Sequence, residues 1–404
     1  MYRDMTRGGI TRSLLLFALP MMAGSLLQQL YNVADTLIVG RALGRDALAA
    51  VGSAFTLMTF LTSIFLGLAM GAGALFAICI GRGDMASLRR AAALALCLIG
   101  AVTAVLTGLV YALLSPVLRF LQIPEALLGD MGGYLRIIFA GLTATFLYNY
   151  FACLLRSAGN SAAPLWFLGG AALLNVGLDL LFVLVCRWGV SGAAAATVIA
   201  QYAAGLGLAV YALRRCRELL PRREDFRFDR RTLRELLDLS LLTCVQQSAM
   251  NFGILLVQRL VDSFGPVVMA AFAAAVKIDA FAYLPVQEFG NAFSTFAAQN
   301  YGAGQPERLR QGLRHATAVS AAFSCAVAAL VVLFARPLMG LFVQAGETEV
   351  IAAGVLYLRI EGAFYAGIGC LFLLYGFYRA VQRPGMSVVL TVISLGTRVA
   401  LAYA

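Results

Sequence analysis

Long apolar runs recur along the whole chain, and short segments that hold most of the charged residues separate them. A hydrocarbon core about 30 Å thick is crossed by roughly 20 apolar residues in a helix. The pattern therefore predicts an all-α integral membrane protein. Eleven segments are long enough to serve as spans: 13–40, 47–80, 91–115, 133–156, 163–186, 190–213, 236–261, 267–300, 312–334, 352–378 and 385–404.

The distribution of arginine among the connecting segments predicts the orientation in the membrane. Three arginines precede the first span, and segment 214–235 alone holds nine. Cytoplasmic loops of membrane proteins carry an excess of Lys and Arg. We therefore expect a multi-pass protein of the cell membrane with a cytoplasmic N-terminus, and we assign Arg156 and Arg379 to loops on that same side.

The second half of the chain repeats features of the first at a nearly constant offset. Residues 81–83 match 302–304 as Gly-x-Gly at an offset of 221, and Arg156 matches Arg379 at an offset of 223. The four residues from Tyr134 (YLRI) match those from Tyr357 at the same offset of 223. Six spans return a chain to its starting side, so this is a parallel repeat, which some transporters have.

The repeat predicts two pseudo-symmetric six-helix lobes. We assign residues 1–213 to an amino-terminal lobe, 214–235 to a basic cytoplasmic linker and 236–404 to a carboxy-terminal lobe. The counterpart of the sixth span would lie beyond Ala404. We therefore expect about 11 of 12 transmembrane helices here, with the carboxy terminus truncated before the last helix.

Composition agrees with a membrane protein and disfavours other classes. The chain is 61% hydrophobic and 13% charged, whereas soluble proteins carry about 25% charged residues. The net charge of +11 would also suit nucleic-acid binding, but these charges lie in short loops between spans, so no nucleic-acid partner is expected. His315 is the single histidine. We expect no metal site, and no nucleophile and base at one depth as a membrane-embedded enzyme would need.

Acidic residues within spans are costly and are usually kept for function. Asp35 and Asp179 lie roughly 9 and 12 Å from the outer ends of their helices. Asn175 shares the helix face of Asp179, and Thr197 lies at similar depth on the next span. Carboxylates that meet raise each other's proton affinity, and oxygen-rich clusters suit Na⁺ or H⁺. A packing role through hydrogen bonds is the alternative.

Further polar residues are candidates for lining a cavity. Gln28 and Tyr31 share the face of Asp35, although packing is an equally good interpretation. The carboxy-terminal half contributes Gln246, Gln247, Lys277, Asp279, Gln287 and Glu288. Lys277 and Asp279 point in different directions because they are two residues apart on a helix. By this assignment Lys277 is the only basic group of the cleft, and Glu361 and Arg398 are expected to pair within their own lobe.

Pro20 and Gly24 lie inside the first span, where proline removes a backbone hydrogen bond and permits a kink. The two residues are hinge candidates. Kinked membrane helices are also common without such a role.

Five stretches resemble the multidrug and toxic compound extrusion (MATE) transporters: 18–20 (ALP), 31–40 (YNVADTLIVG), 174–179 (LNVGLD), 192–201 (GAAAATVIAQ) and 298–304 (AQNYGAG). The resemblance covers essentially the whole chain. It implies two six-helix lobes around a central cleft. It also implies that Asp35 binds the coupling ion with Asn175, Asp179 and Thr197 as partners, and that the first helix bends at Pro20 and Gly24 when the acid is protonated.

The resemblance thus implies a secondary antiporter that exports organic, often cationic, drugs or toxic compounds in exchange for H⁺ or Na⁺. Such a protein acts as a monomer in the lipid bilayer on small-molecule substrates and needs no cofactor besides the coupling ion. A lipid-linked oligosaccharide flippase of the same superfamily is the alternative, but it would require a more cationic cleft. A membrane-embedded enzyme is a weaker one.

Overall fold

The computed structural model describes residues 4–114, 116, 125–343 and 346–403, and within these ranges the regular structure is helical throughout. The helices are α1 (Ile10–Leu43), α2 (Arg45–Gly81), α3 (Met85–Ala112), α4 (Glu125–Ala140), α5 (Leu142–Ser157), α6 (Ala162–Asp179), α7 (Gly189–Arg215), α8 (Arg230–Asp262), α9 (Pro266–Gly302), α10 (Pro306–Leu333), α11 (Ala335–Gly340), α12 (Thr348–Ala363), α13 (Tyr365–Ala380) and α14 (Pro384–Tyr403). A π-helical segment (Leu180–Val185) continues α6.

Among the described residues, nine helical segments are long and apolar enough to cross a membrane. The pair α12 and α13, bent by 51°, makes a tenth if it is one span. The predicted span 236–261 lies within α8, which is not among them. Polar side chains such as Gln246 and Gln247 make α8 less apolar, and the helix packs closely along α2, where it buries them.

The two halves of the chain meet in a symmetric crossing of α2 and α9. A Cβ atom on Gly81 would collide with the carbonyl oxygen of Gln299, and one on Gly302 would collide with that of Ile78. Both pairs are related by the offset of 221 residues found in the sequence. The crossing therefore lies on the pseudo-symmetry axis of a parallel repeat, and glycine allows the backbones to touch there.

The lobes are joined at the end of the bundle where α2 and α9 end, which we call the basic end. A shared apolar cluster contains Met5, Phe17 and Ile78 from one half and Phe293 and Phe296 from the other. Two other clusters near the opposite end each belong to a single lobe. The bundle is therefore closed between the lobes at the basic end.

The segment before α1 lies across this closed end. Met5 is fully buried, and its N–H donates to Gln299 Oε1 at 3.0 Å. The Gln299 amide donates in turn to the carbonyl oxygen of Ser157 at 2.7 Å. Arg308 donates to the carbonyl oxygens of Met5, at 3.2 Å, and Gly8, at 2.9 Å. Gln299 thus ties the amino-terminal segment and α5 to α9.

The basic segment between α7 and α8 packs onto the first lobe. It forms two 3₁₀ turns, Arg217–Leu219 and Arg223–Asp225. Leu219 is buried in the core of the first lobe, and Arg89 Nε lies 3.3 Å from a carboxylate oxygen of Asp225. The predicted linker is therefore fixed to α3 by an apolar anchor and a mostly buried ion pair.

The crossing of α2 and α9 yields a test of the fold. Replacing Gly302 with Val should lower the midpoint of thermal unfolding in detergent, because overpacking typically costs about 1–3 kcal/mol. Gly108→Val is the matched control, since a Cβ atom there has no neighbour within 4 Å. Equal midpoints for the two variants would contradict the close approach.

Candidate functional site

The carboxyl groups of Asp35 on α1 and Asp179 at the end of α6 lie within hydrogen-bonding reach of each other. Asp179 is fully buried and Asn175 is 1% exposed. The two helices pack side by side, which brings both acids to one depth, about 12 Å before the end of α1 at Leu43. The two acids, predicted to share a depth, therefore form one pair, in which Asp179 is buried and Asp35 is half-buried.

Several oxygens of this pair lack a hydrogen-bond donor. Asp35 Oδ1, both carboxyl oxygens of Asp179 and Asn175 Oδ1 are buried and accept no hydrogen bond from the described residues. Buried polar groups are nearly always hydrogen-bonded, and an unpaired buried charge is strongly unfavourable. The site therefore presents acceptors for a ligand that carries positive charge.

The surrounding side chains orient the site. Asn175 Nδ2 lies 3.4 Å from Thr197 Oγ1, which donates to the carbonyl oxygen of Ala193 at 3.0 Å. Tyr31 and Tyr134 lie close enough to both acids to interact with their charges. Tyr134 was not among the predicted residues. Its signal was the YLRI repeat, whose first residue lies beside an acidic group in both lobes.

The chemistry of the site is that of a proton or a small hard cation. Two adjacent carboxylates repel when both are charged, and a shared proton or a bound cation relieves that repulsion. Hard cations prefer oxygen ligands of the kind gathered here. No three His, Cys, Asp or Glu side chains cluster as metal ligands in the described part of the chain.

The π-helical segment after Asp179 sets the position of that acid. Short π-helical turns occur often at functional sites. Phe182 stacks on Trp188 with ring centroids 4.6 Å apart. A Cβ atom on Gly192 would lie 3.1 Å from Trp188 Cβ and 3.2 Å from Phe182 Cβ. Gly192 therefore lets α7 approach the π-helical segment closely, which brings Thr197 towards Asn175.

The other predicted cavity residues are distributed between the lobes. Gln28 is exposed on α1. Gln246 and Gln247 are buried on α8, away from the acid pair. Lys277 is exposed and forms no ion pair with a described residue, whereas Asp279 is buried. This agrees with the prediction that Lys277 and Asp279 point in different directions.

A second acidic group lies in the carboxy-terminal lobe. Asp279 on α9 interacts with Tyr365 and with the charge of Glu361. Arg398 lies 3.7 Å from a carboxylate oxygen of Glu361, the pairing expected from the sequence. Tyr357, the repeat counterpart of Tyr134, lies beside Glu361. This group differs from the first because an arginine already balances one of its acids.

The assignment of Arg156 and Arg379 to loops was wrong. That Lys277 is the only basic group of the cleft stays a prediction. Arg156 lies in the last turn of α5 and Arg379 in the last turn of α13, where Arg379 is 5% exposed. Both arginines interact with the charge of Glu288 on α9. Glu288 accepts a hydrogen bond from Asn291 at 3.2 Å, and Gln287 beside it is half-buried.

The predicted hinge residues lie in an uninterrupted helix. α1 runs through Pro20 without a break in its helical assignment. Gly24 is buried against α6, where a Cβ atom would lie 3.6 Å from a methyl carbon of Leu165. The absence of a side chain at Gly24 allows this contact. Bending of α1 at Pro20 or Gly24 stays a prediction.

Comparison with known proteins gives consistent results. The family model MatE matches residues 20–181 and again 243–404. A probable multidrug resistance protein of Bacillus subtilis, YpnP, is 31% identical over 97% of this chain and 87% of its own length. An FAD transporter of Shewanella oneidensis is 26% identical over 96% of this chain and 86% of its own.

A solved structure has the same fold. The outward-facing conformation of a multidrug resistance MATE family transporter superposes with a TM-score of 0.93 at 24% identity. The match covers 99% of this chain and 89% of that one.

Trp188 can report on the acid pair. In a Trp166→Phe background it is the single tryptophan, and it stacks on the segment that follows Asp179. Its emission should change when pH or Na⁺ concentration is varied, because the occupant of the pair changes. The change should disappear in Asp179→Asn. A response that persists in this variant would separate Trp188 from the pair.

Proposed function

Because this chain belongs to the MatE family, we propose that it is a secondary active antiporter that exports organic molecules in exchange for H⁺ or Na⁺. The observation that carries the proposal is the pair of Asp35 and Asp179 with its buried, unpartnered oxygens. A proton or a sodium ion is the ligand whose charge suits it. No further cofactor and no catalytic step are part of the proposal.

The pair is coupled to transport through the packing of α1. This helix carries Asp35 near one end, contacts α6 along its length, and places Phe17 in the apolar cluster at the basic end. An ion shifts the equilibrium between two conformations only by the difference between its affinities for them. In the proposal, binding at the pair changes how α1 packs and thereby favours one state of the basic end.

The arginine distribution and the relatives bear on the location, orientation and substrates of the protein. We propose a multi-pass monomer of the cell membrane with its N-terminus and basic end on the cytoplasmic side, as the arginine distribution favours. The relatives cover a range of organic substrates, since one is a probable multidrug resistance protein and another is an FAD transporter. The resemblance adds often cationic compounds to this range.

A lipid-linked oligosaccharide flippase is the second candidate. One observation favours it, since the half-buried Arg156 and the buried Arg379 add basic groups that the sequence had not placed inside the bundle. A flippase would move its lipid substrate without exporting dyes against a gradient. Ion-driven efflux of a small dye from vesicles would therefore decide for the antiporter.

The antiporter is tested in proteoliposomes by dye efflux driven separately by a pH gradient and by a Na⁺ gradient. Asp35→Asn and Asp179→Asn should each reduce driven efflux by about tenfold or more. The double variant should be no worse than either single one, because residues that act as a unit are not additive.

Asp84→Asn is the matched control. Asp84 caps α3 by accepting a hydrogen bond from the N–H of Ser87 at 2.9 Å, and Asn is an equally good cap. Its efflux should equal that of the unmodified protein. Full driven efflux in the Asp35, Asp179 double variant would refute the proposed coupling.

A further inference from the structure

Two arginines related by the internal repeat interact with the same groups where the two lobes meet. Arg156 belongs to the first lobe and Arg379, its counterpart at an offset of 223 residues, belongs to the second. Both interact with the charge of Glu288 and with Cys153. The repeat thus brings its two basic side chains to one place beside a single acid.

The groups that interact with the two arginines lie inside the bundle, away from the basic end. Glu288 lies 14 residues before the end of α9 at Gly302, a rise of about 21 Å. Arg156 also interacts with Tyr148, which lies about 14 Å above the end of α5 by the same rise. Arginines at a helix end normally reach towards water. These two instead interact with groups in the interior of the bundle.

The charges are not satisfied by the described residues. Arg156 Nε is buried without a hydrogen-bond partner, and so is Glu288 Oε2. Arg379 is 95% buried (5% exposed) and forms no ion pair or hydrogen bond through its side chain with a described residue. A buried arginine normally forms fork-like hydrogen bonds to an acid, and an uncompensated buried charge is strongly destabilising.

The second-lobe part of this group is held rigidly. A Cβ atom on Gly290 would lie 2.8 Å from the carbonyl oxygen of Phe372. One on Gly376 would lie 2.5 Å from the carbonyl oxygen of Gly290. The backbones of α9 and α13 therefore touch, and this contact fixes Glu288 and Arg379 relative to each other. Arg156 approaches from the other lobe.

We propose that Arg156 and Arg379 form a binding site for the anionic group, a carboxylate or a phosphate, of an organic substrate. Two arginines against one glutamate leave one net positive charge, which such a group neutralises. Guanidinium groups suit planar or tetrahedral oxyanions through paired hydrogen bonds. Because the arginines come from different lobes, a bound anion bridges the lobes and relieves the repulsion between the two cations.

This site would define the substrate class of the proposed antiporter. The inference depends on the proposed function only for the transport step. Binding itself requires no ion gradient and does not involve the acid pair. Asp35→Asn should therefore leave anion binding intact. An organic anion with an apolar body, or a zwitterion, fits a basic group set between apolar helices.

The test measures binding to the purified full chain in detergent with two matched fluorescent pairs. Dansylglycine is compared with its uncharged methyl ester, and flavin mononucleotide with riboflavin, which lacks the phosphate. In at least one pair the anion should bind about tenfold or more tightly than its neutral partner, the effect of charge-assisted hydrogen bonds. Preference for the carboxylate or for the phosphate pair identifies the oxyanion.

Variants separate a binding site from a structural ion cluster. Arg156→Gln and Arg379→Gln should each abolish the preference for the anion, whereas Arg379→Lys should retain part of it. Glu288→Gln should strengthen anion binding, because it removes the competing negative charge. A purely structural cluster predicts no gain in Glu288→Gln. Arg383→Gln, which changes an exposed arginine one turn away, is the control and should have no effect.

Equal affinity for the charged and neutral members of both pairs would overturn the proposal. So would a preference that survives in the Arg156, Arg379 double variant. Ion-driven dye efflux without any anion preference would leave the antiporter standing and remove only this site. Anion preference without ion-driven efflux would support this site and refute the antiporter.

Discussion

The account depends on one electrostatic constraint: Asp35 and Asp179 lie side by side, and three of their four carboxyl oxygens are buried without a hydrogen-bond donor among the described residues. Two carboxylates cannot both stay charged at such close range without strong repulsion, so an ion must occupy the pair or the helices must separate. The neighbouring π-helical segment and the close contact at Gly192 maintain this arrangement. The pair is therefore a place where the occupancy of one ion can alter helix packing.

The ends of the bundle differ in the way a two-state transporter requires. At the basic end, α2 and α9 touch at glycines related by the repeat, and Gln299 links three segments by hydrogen bonds. The acid pair lies within one lobe towards the opposite end. α1 is the element common to both regions, since it carries Asp35 and contributes Phe17 to the closing cluster. An interlobe anion at Arg156 and Arg379 would stabilise the same closed end from inside.

Hydropathy and a count of residues from the helix ends predicted the spans and the common depth of Asp35 and Asp179. The repeat offset predicted that both lobes are alike, although not that Gly81 and Gly302 lie on the contact between them. The orientation of Arg156 and Arg379 could not be read from the sequence, because an arginine at the end of a span looks the same whether it reaches towards water or the interior. The π-helical turn after Asp179 also lacks a sequence signal, because it depends on packing against α7.

Infrared difference spectroscopy of the purified protein tests the central claim most directly, because a protonated carboxyl group has its own carbonyl band. The account predicts a band that appears at low pH without Na⁺, fades as pH or Na⁺ concentration rises, and is lost in the Asp35→Asn, Asp179→Asn double variant. An identical band in the unmodified protein and the double variant would contradict it.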